Sequence, residues 1–317
     1  MALLCDTVTF KYIEALELEL SVYRTEHSKN APILLYLHGN GSPVKGSRRD
    51  IPKHLLDGIS RFNYTLISAD YRLAPQVGIQ EIYIDVEDCI NFLRNPLGLA
   101  AWLPRGTVDR HRVAVAGSGG GGYLALLAGL HVVPKPRAVL ALDPITDPLG
   151  SFFTTKHLWG AVYHGDMEKN TAVSFLQQFL APNGAVKANY VHDNSDGQYP
   201  TRQPIYTYML HCGNLAKMLR LNVGAGAESD PANDQWRVAK ALATCELPPT
   251  FIMHGSADDQ VDVGQSDKVV GALMGALGHE RFTEYNQYER PQGWGHASGD
   301  ESGQYMDRMY EFLQSWI

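Results

Sequence analysis

Short strand-like runs alternate with segments whose apolar residues return at helical spacing, the signature of a largely parallel sheet covered on both faces. The clearest runs fall at residues 33–37, 64–69, 113–116, 138–142 and 250–253. Between the second and the third, Ile82, Val86, Ile90 and Leu93 recur at helical spacing and predict a helix with one apolar stripe on the sheet. Further helices are expected at 123–130, behind a run of glycines, and at 305–316. From about 149 to 236 the alternation stops, and the chain becomes aromatic and rich in Asn, Gly and Pro. A structureless loop of that length is improbable in a compact domain, so the stretch reads as an inserted lid with helices of its own, one of them at 173–180. The expected architecture is therefore α/β, with a core formed by residues 1–148 and 237–317 around a lid at 149–236.

The length of 317 residues suits one large domain of this kind. A net charge of −7 and a pI near 5.9 argue against nucleic acid or an anionic membrane as partner and favour a neutral or apolar small molecule. The first twenty residues lack the basic start of a secretory signal, and no apolar run approaches the roughly 20 residues that span a bilayer. Cys5, Cys89, Cys212 and Cys245 are scattered without CxxC spacing, which suits a reduced, cytoplasmic protein. His157 and His164 have no partner at metal-ligand spacing, and His211-Cys212 is more in keeping with a buried cysteine than a displaced nucleophile. Neither metal nor cofactor is expected. Lid aromatics such as Phe152, Phe153, Trp159, Tyr163 and Tyr206 fit a mixture of core packing and apolar pocket wall. A homodimer is allowed but not specified.

Five stretches stand out. His38-Gly39-Asn40-Gly41 follows a strand directly, and its small residues let the backbone turn sharply and present N–H groups, as a developing oxyanion requires. Asp70-Tyr71-Arg72-Leu73-Ala74-Pro75 follows the second run, and Arg112-Val113-Ala114-Val115-Ala116-Gly117-Ser118-Gly119-Gly120-Gly121-Gly122-Tyr123-Leu124-Ala125 joins the third run to a helix. Asp258 lies just beyond the last run and Gly293-Trp294-Gly295-His296 further on.

Taken together, these segments resemble the hormone-sensitive-lipase-like branch of the α/β hydrolases, from about residue 32 to the C-terminus and least in the lid. The resemblance implies an α/β-hydrolase fold and the chain order nucleophile, acid, histidine. It places Asp258 as the acid, with Asp259 the nearest alternative, and His296 as the base. Gly39, Asn40, Gly41 and Gly120 fall at the oxyanion hole. Where the family carries G-x-S-x-G-G, an ungapped reading puts Gly119 at the nucleophile position, so the hydroxyl is missing. A second register, Ala116-Gly117-Ser118-Gly119-Gly120, would make Ser118 the nucleophile but requires a strand one residue shorter. The DYRLAP hexapeptide identifies the fold rather than the chemistry.

Three functions suit this pattern. The first is an enzyme that has left acyl transfer and uses His296 with Asp258 for general acid–base chemistry, such as cyclisation, condensation or cleavage of a polyketide-like compound. The second is a carboxylic-ester or lactone hydrolase whose serine has been replaced by Gly119. The third is a small-molecule receptor, like the gibberellin receptors of the same family, although those lose the histidine that this chain keeps.

Overall fold

In a computed structural model, which describes residues 3–39, 43–44, 46–158, 203–296 and 303–317, the chain forms one eight-stranded sheet. The strands are β1 (Leu3–Ile13), β2 (Leu16–Thr25), β3 (Ala31–Leu37), β4 (Thr65–Ala69), β5 (Val108–Ser118), β6 (Val139–Leu142), β7 (Thr250–Met253) and β8 (Asn286–Glu289). Their order is β1-β2-β4-β3-β5-β6-β7-β8. Pairing is parallel from β4 through β8, while β1 and β2 form an antiparallel hairpin that joins β4 at one edge.

Side chains of the parallel strands alternate between two apolar layers, which is why these strands read as nearly unbroken hydrophobic runs. Ile33, Leu35, Leu37, Val113, Val115, Val139, Ala141 and Ile252 face one layer. It also contains Ile82, Val86, Ile90 and Leu93 of α1 (Ile79–Arg94) and the buried α2 (Gly120–His131). Leu34, Tyr36, Leu66, Ala114, Ala116, Leu140, Phe251 and Met253 face the other. There they meet Met306, Met309, Tyr310 and Leu313 of the C-terminal helix Gly303–Trp316. Every residue from Gly120 to Leu130 is buried, so α2 is a helix enclosed on all sides rather than an amphipathic one.

The strands at the two ends of the sheet, β1, β2 and β8, were not among the runs read from the sequence, nor was the helix Lys53–Phe62. The helix expected at 173–180 lies outside the described residues. In the described part of the 149–236 stretch, Phe153, Ile205, Tyr206, Met209, Leu210, Leu215 and Leu219 are buried in the same apolar layer as α1 and α2. Among the described residues, no helix is long and apolar enough to cross a membrane.

Candidate active site

The parallel strands β5 to β8 lie side by side and all end at one edge of the sheet. The segments that follow them carry the candidate residues, at the strand ends where open α/β sheets usually place their sites. β5 ends at Ser118, and Gly119 then turns the chain into α2 with φ 53° and ψ −115°. That backbone region is open to glycine and strained for other residues. The turn is pinned from both sides: the Gly119 N–H donates to the Leu142 carbonyl at 2.8 Å, and the Gly119 carbonyl accepts from Ile145 N at 3.1 Å. Ser118, one residue earlier, is the last residue of β5, and its hydroxyl lies 3.2 Å from the Tyr36 hydroxyl. Tyr36 belongs to the layer beneath the C-terminal helix, the layer that also takes the alternate residues Ala114 and Ala116. The sharp positive-φ turn therefore falls at Gly119 and not at Ser118.

Gly120 opens α2, where a backbone N–H has no carbonyl one turn back to receive it. The His38-Gly39 turn packs directly against this helix start. A Cβ on Gly39 would fall on the Ser118 carbonyl and the Gly121 nitrogen and 2.9 Å from Gly120 N, so only glycine permits the approach. Asn40 and Gly41 lie outside the described residues.

The DYRLAP segment holds this turn in place. The Tyr71 hydroxyl donates to the His38 carbonyl, and the two rings stack with centroids 4.3 Å apart and planes 12° from parallel. Asp70 accepts from Arg48 at 2.8 Å, and Arg72 grips the buried Asp85 through Nε at 2.7 Å and an amino group at 2.9 Å. Burial, reinforced by the nearby Arg48 charge, pushes the His38 imidazole down to about 3, so this ring is neutral at ordinary pH.

The acid and the histidine sit on two loops stitched together by backbone. Ser256 N donates to the Pro291 carbonyl at 3.0 Å and Ala257 N to the Trp294 carbonyl at 2.8 Å. Gly293 N returns a bond to the Ser256 hydroxyl at 2.8 Å. On this frame His296 Nδ1 lies 2.8 Å from Asp258 Oδ2. A carboxylate can only accept, so Nδ1 carries the proton and Nε2 is the basic nitrogen. Asp258 Oδ1 accepts from Gln260 N at 2.8 Å and Val261 N at 2.9 Å. Burial opposes ionisation of Asp258, but hydrogen bonds from His254 and His296 outweigh it and hold the carboxyl well below the usual carboxylate range. The side chain of the neighbouring Asp259 accepts from the Gln260 amide at 3.2 Å on the exposed side.

Two groups that no motif announced complete the cluster. His254, fully buried at the end of β7, places Nε2 2.9 Å from the Val261 carbonyl and 3.4 Å from Asp258 Oδ2, while Nδ1 meets the Ser266 hydroxyl at 2.8 Å. Asp143 follows β6 with φ 43° and accepts from Gly255 N at 3.0 Å. Its burial pushes its carboxyl upward, against the attraction of the two imidazoles. Asp143, His254 and Asp258 bring donor atoms within 4.8 Å of one another, the spacing of a metal site. Both Asp258 oxygens are nevertheless occupied by N–H groups, which makes the cluster a hydrogen-bonded network.

The other residues singled out have local partners. His211 Nδ1 meets the His157 carbonyl at 2.7 Å and His157 Nε2 the Phe152 carbonyl at 2.8 Å. Cys212 is half-buried. Phe153 and Tyr206 are core residues, and the Tyr206 hydroxyl donates to the Gln260 carbonyl, bracing the loop that carries Asp258. Trp159, Tyr163 and His164 lie outside the described residues.

A mostly parallel sheet, helices on both faces and a strand–turn–helix elbow together define an α/β-hydrolase fold. The chain matches the profile of an α/β-hydrolase family over residues 34–267 and belongs to that family, the hormone-sensitive-lipase-like branch. Among curated proteins it is 28% identical over 278 residues to a non-reducing polyketide synthase of Aspergillus calidoustus, covering 77% of this chain and 11% of that one. It is also 28% identical over 306 residues to one of Penicillium brevicompactum, covering 84% of this chain and 13% of that one. The chain thus spans only a small part of these relatives. Among solved structures, a Staphylococcus aureus protein of unknown function superposes with a TM-score of 0.68 at 19% identity, covering 98% and 99% of the two chains. A thermophilic esterase of Thermogutta terrifontis superposes with a TM-score of 0.62 at 14% identity, covering 98% and 92%. Both likenesses are in fold.

Proposed function

We propose that this chain is an enzyme that uses His296 and Asp258 for general acid–base chemistry on an apolar, polyketide-like small molecule, without an acyl-enzyme intermediate at position 119. The observation that carries the reading is the pairing of an oriented His296–Asp258 couple with an elbow whose turning residue is glycine. In a serine protease, loss of the nucleophile costs on the order of 10⁶ in turnover. What remains is a base and a helix start able to stabilise an oxyanion. His296 Nε2 would remove a proton from an activated carbon or hydroxyl. The N–H of Gly120, with those of the 39–41 turn, would stabilise the enolate or alkoxide. The space left by the absent serine side chain would admit a nucleophile belonging to the substrate itself, so cyclisation, condensation, or C–C or C–O cleavage follows. The similarity to polyketide synthases supports the substrate class.

The test is turnover of synthetic poly-β-ketone and aryl-ketone substrates by the protein and by His296→Ala. Loss of product in the variant is expected, and equal turnover overturns the proposal. A second reading, an ester or lactone hydrolase deprived of its serine, draws on the backbone at Gly119, which keeps a conformation strained for any side chain. Efficient cleavage of short p-nitrophenyl esters by Gly119→Ser would favour that reading, and an inert, well-folded variant would count against it.

A further inference from the structure

An imidazole buried to 0% exposure beside the candidate acid calls for an explanation, because a histidine–carboxylate pair needs only one ring. Burying a polar ring costs free energy unless it is hydrogen-bonded, and an apolar side chain would fill the same volume without that cost. We propose that His254 is a positioning residue, which fixes the Asp258 carboxylate and through it the orientation and tautomer of His296. The inference rests on the acid–base reading above and assigns His254 no contact with substrate.

The geometry supplies the argument. Two backbone N–H groups hold Asp258 Oδ1, at 2.8 and 2.9 Å. With Oδ1 so held, the direction of Oδ2 is set by its own partners. Oδ2 is reached from one side by His296 Nδ1 at 2.8 Å and from the other by His254 Nε2 at 3.4 Å. The two partners differ in how firmly they are held. Among the described residues, His296 belongs to a loop tied to the acid loop by hydrogen bonds between residues 256–257 and 291–294 and by its own bond to Asp258. His254 directly follows β7, which is paired with β6 and β8; its N–H donates to the Glu289 carbonyl at 3.0 Å, and its ring is held at both nitrogens. The Val261 carbonyl can only accept, so Nε2 carries a proton, and Asp258 Oδ2 lies 3.4 Å from the same nitrogen. Every neighbouring element presents a group to this ring: Asp143 after β6, Ser266 from the helix Gly264–Leu277, and the Val261 carbonyl and Asp258 from its own loop. Burial disfavours charge on His254, but Asp258 and Asp143 outweigh it and raise its pKa, in keeping with a ring held against two carboxylates. A purely structural role, tying the 261 loop to the helix, would be met by the Ser266 and Val261 bonds alone.

Two substitutions separate these roles. His254→Leu keeps the volume and removes both nitrogens, whereas His254→Gln keeps an amide N–H able to reach Asp258. The readout is the Nδ1–H resonance of His296 in ¹⁵N-histidine-labelled protein, assigned by its loss in His296→Ala and observed without substrate. The expected result is a resonance present in the parent and in His254→Gln but exchange-broadened in His254→Leu. Alongside it, kcat should fall about tenfold in His254→Leu with KM unchanged, and recover in His254→Gln. If His254→Leu does not fold, Ser266→Ala removes the bond that orients the ring and should broaden the same resonance. An unchanged His296 resonance in a folded His254→Leu, or in Ser266→Ala if that is the variant that folds, overturns the proposal. Because the resonance needs no turnover, it stands or falls separately from the His296→Ala activity test of the proposed reaction.

Discussion

Gly119 is bound to Leu142 across the β5–β6 boundary, its N–H donating to the Leu142 carbonyl at 2.8 Å while its own φ is 53°. The bond fixes the elbow in a backbone region that a Cβ makes costly, by about 1–3 kcal/mol. A side chain here also narrows the unfolded ensemble, which returns about 0.4–1 kcal/mol. Gly119→Ala should therefore lower stability by about 1–2 kcal/mol, read as a lower urea midpoint at unchanged m-value. A variant as stable as the parent would show that the turn relaxes.

Tyr71 supports the His38-Gly39 turn, whose N–H groups are proposed above to stabilise an oxyanion, because its hydroxyl satisfies the buried His38 carbonyl. Tyr71→Phe keeps the ring stack and strands that carbonyl, at a cost of about 1–3 kcal/mol. Turnover should fall through kcat, since a displaced Gly39 moves the donors and leaves the base in place. Equal stability and kcat in the variant would remove the hexapeptide from any role in the site.

His38 also sets a pH dependence. Its folded value of about 3 lies below the unfolded value near 6.5, so the unfolded chain binds a proton that the native ring refuses. Between those values stability should fall as pH falls, by up to ~1.4 kcal/mol per unit. The depressed Asp258 carboxyl contributes stability above its unfolded value near 3.9, and that contribution is lost as pH drops further. Urea titrations at pH 7, 6, 5 and 4 should show a decline that begins below about 6.5 and is smaller in His38→Phe. A profile identical in the two proteins would contradict the assignment.

How much the sequence revealed depended on where the determining interactions lie. The central strands were legible because both of their faces are buried: β3, β4, β6 and β7 match the apolar runs to within two residues, while β5 begins five residues before its run. The β1–β2 hairpin was missed although Leu16, Leu18, Leu20 and Val22 alternate with polar residues, the period expected of a half-buried strand. β8 carries the sequence Asn-Gln-Tyr-Glu and has no apolar signal, because it is a strand only by virtue of pairing with β7. In the site, motif order led to His296 and Asp258, which stand in hydrogen-bond contact. Nothing in the sequence marks His254 and Asp143, because they meet Asp258 only when β6 and β7 lie side by side.

Proton transfer by His296 without a covalent intermediate can be followed by intact-protein mass spectrometry during turnover. The protein would be quenched at short times with an aryl poly-β-ketone thioester, with product and protein mass followed together. Product that disappears in His296→Ala and an unmodified protein mass at every time point are expected. An acyl adduct that forms and decays at the rate of turnover, mapped to Ser118 or any other side chain, would contradict this mechanism.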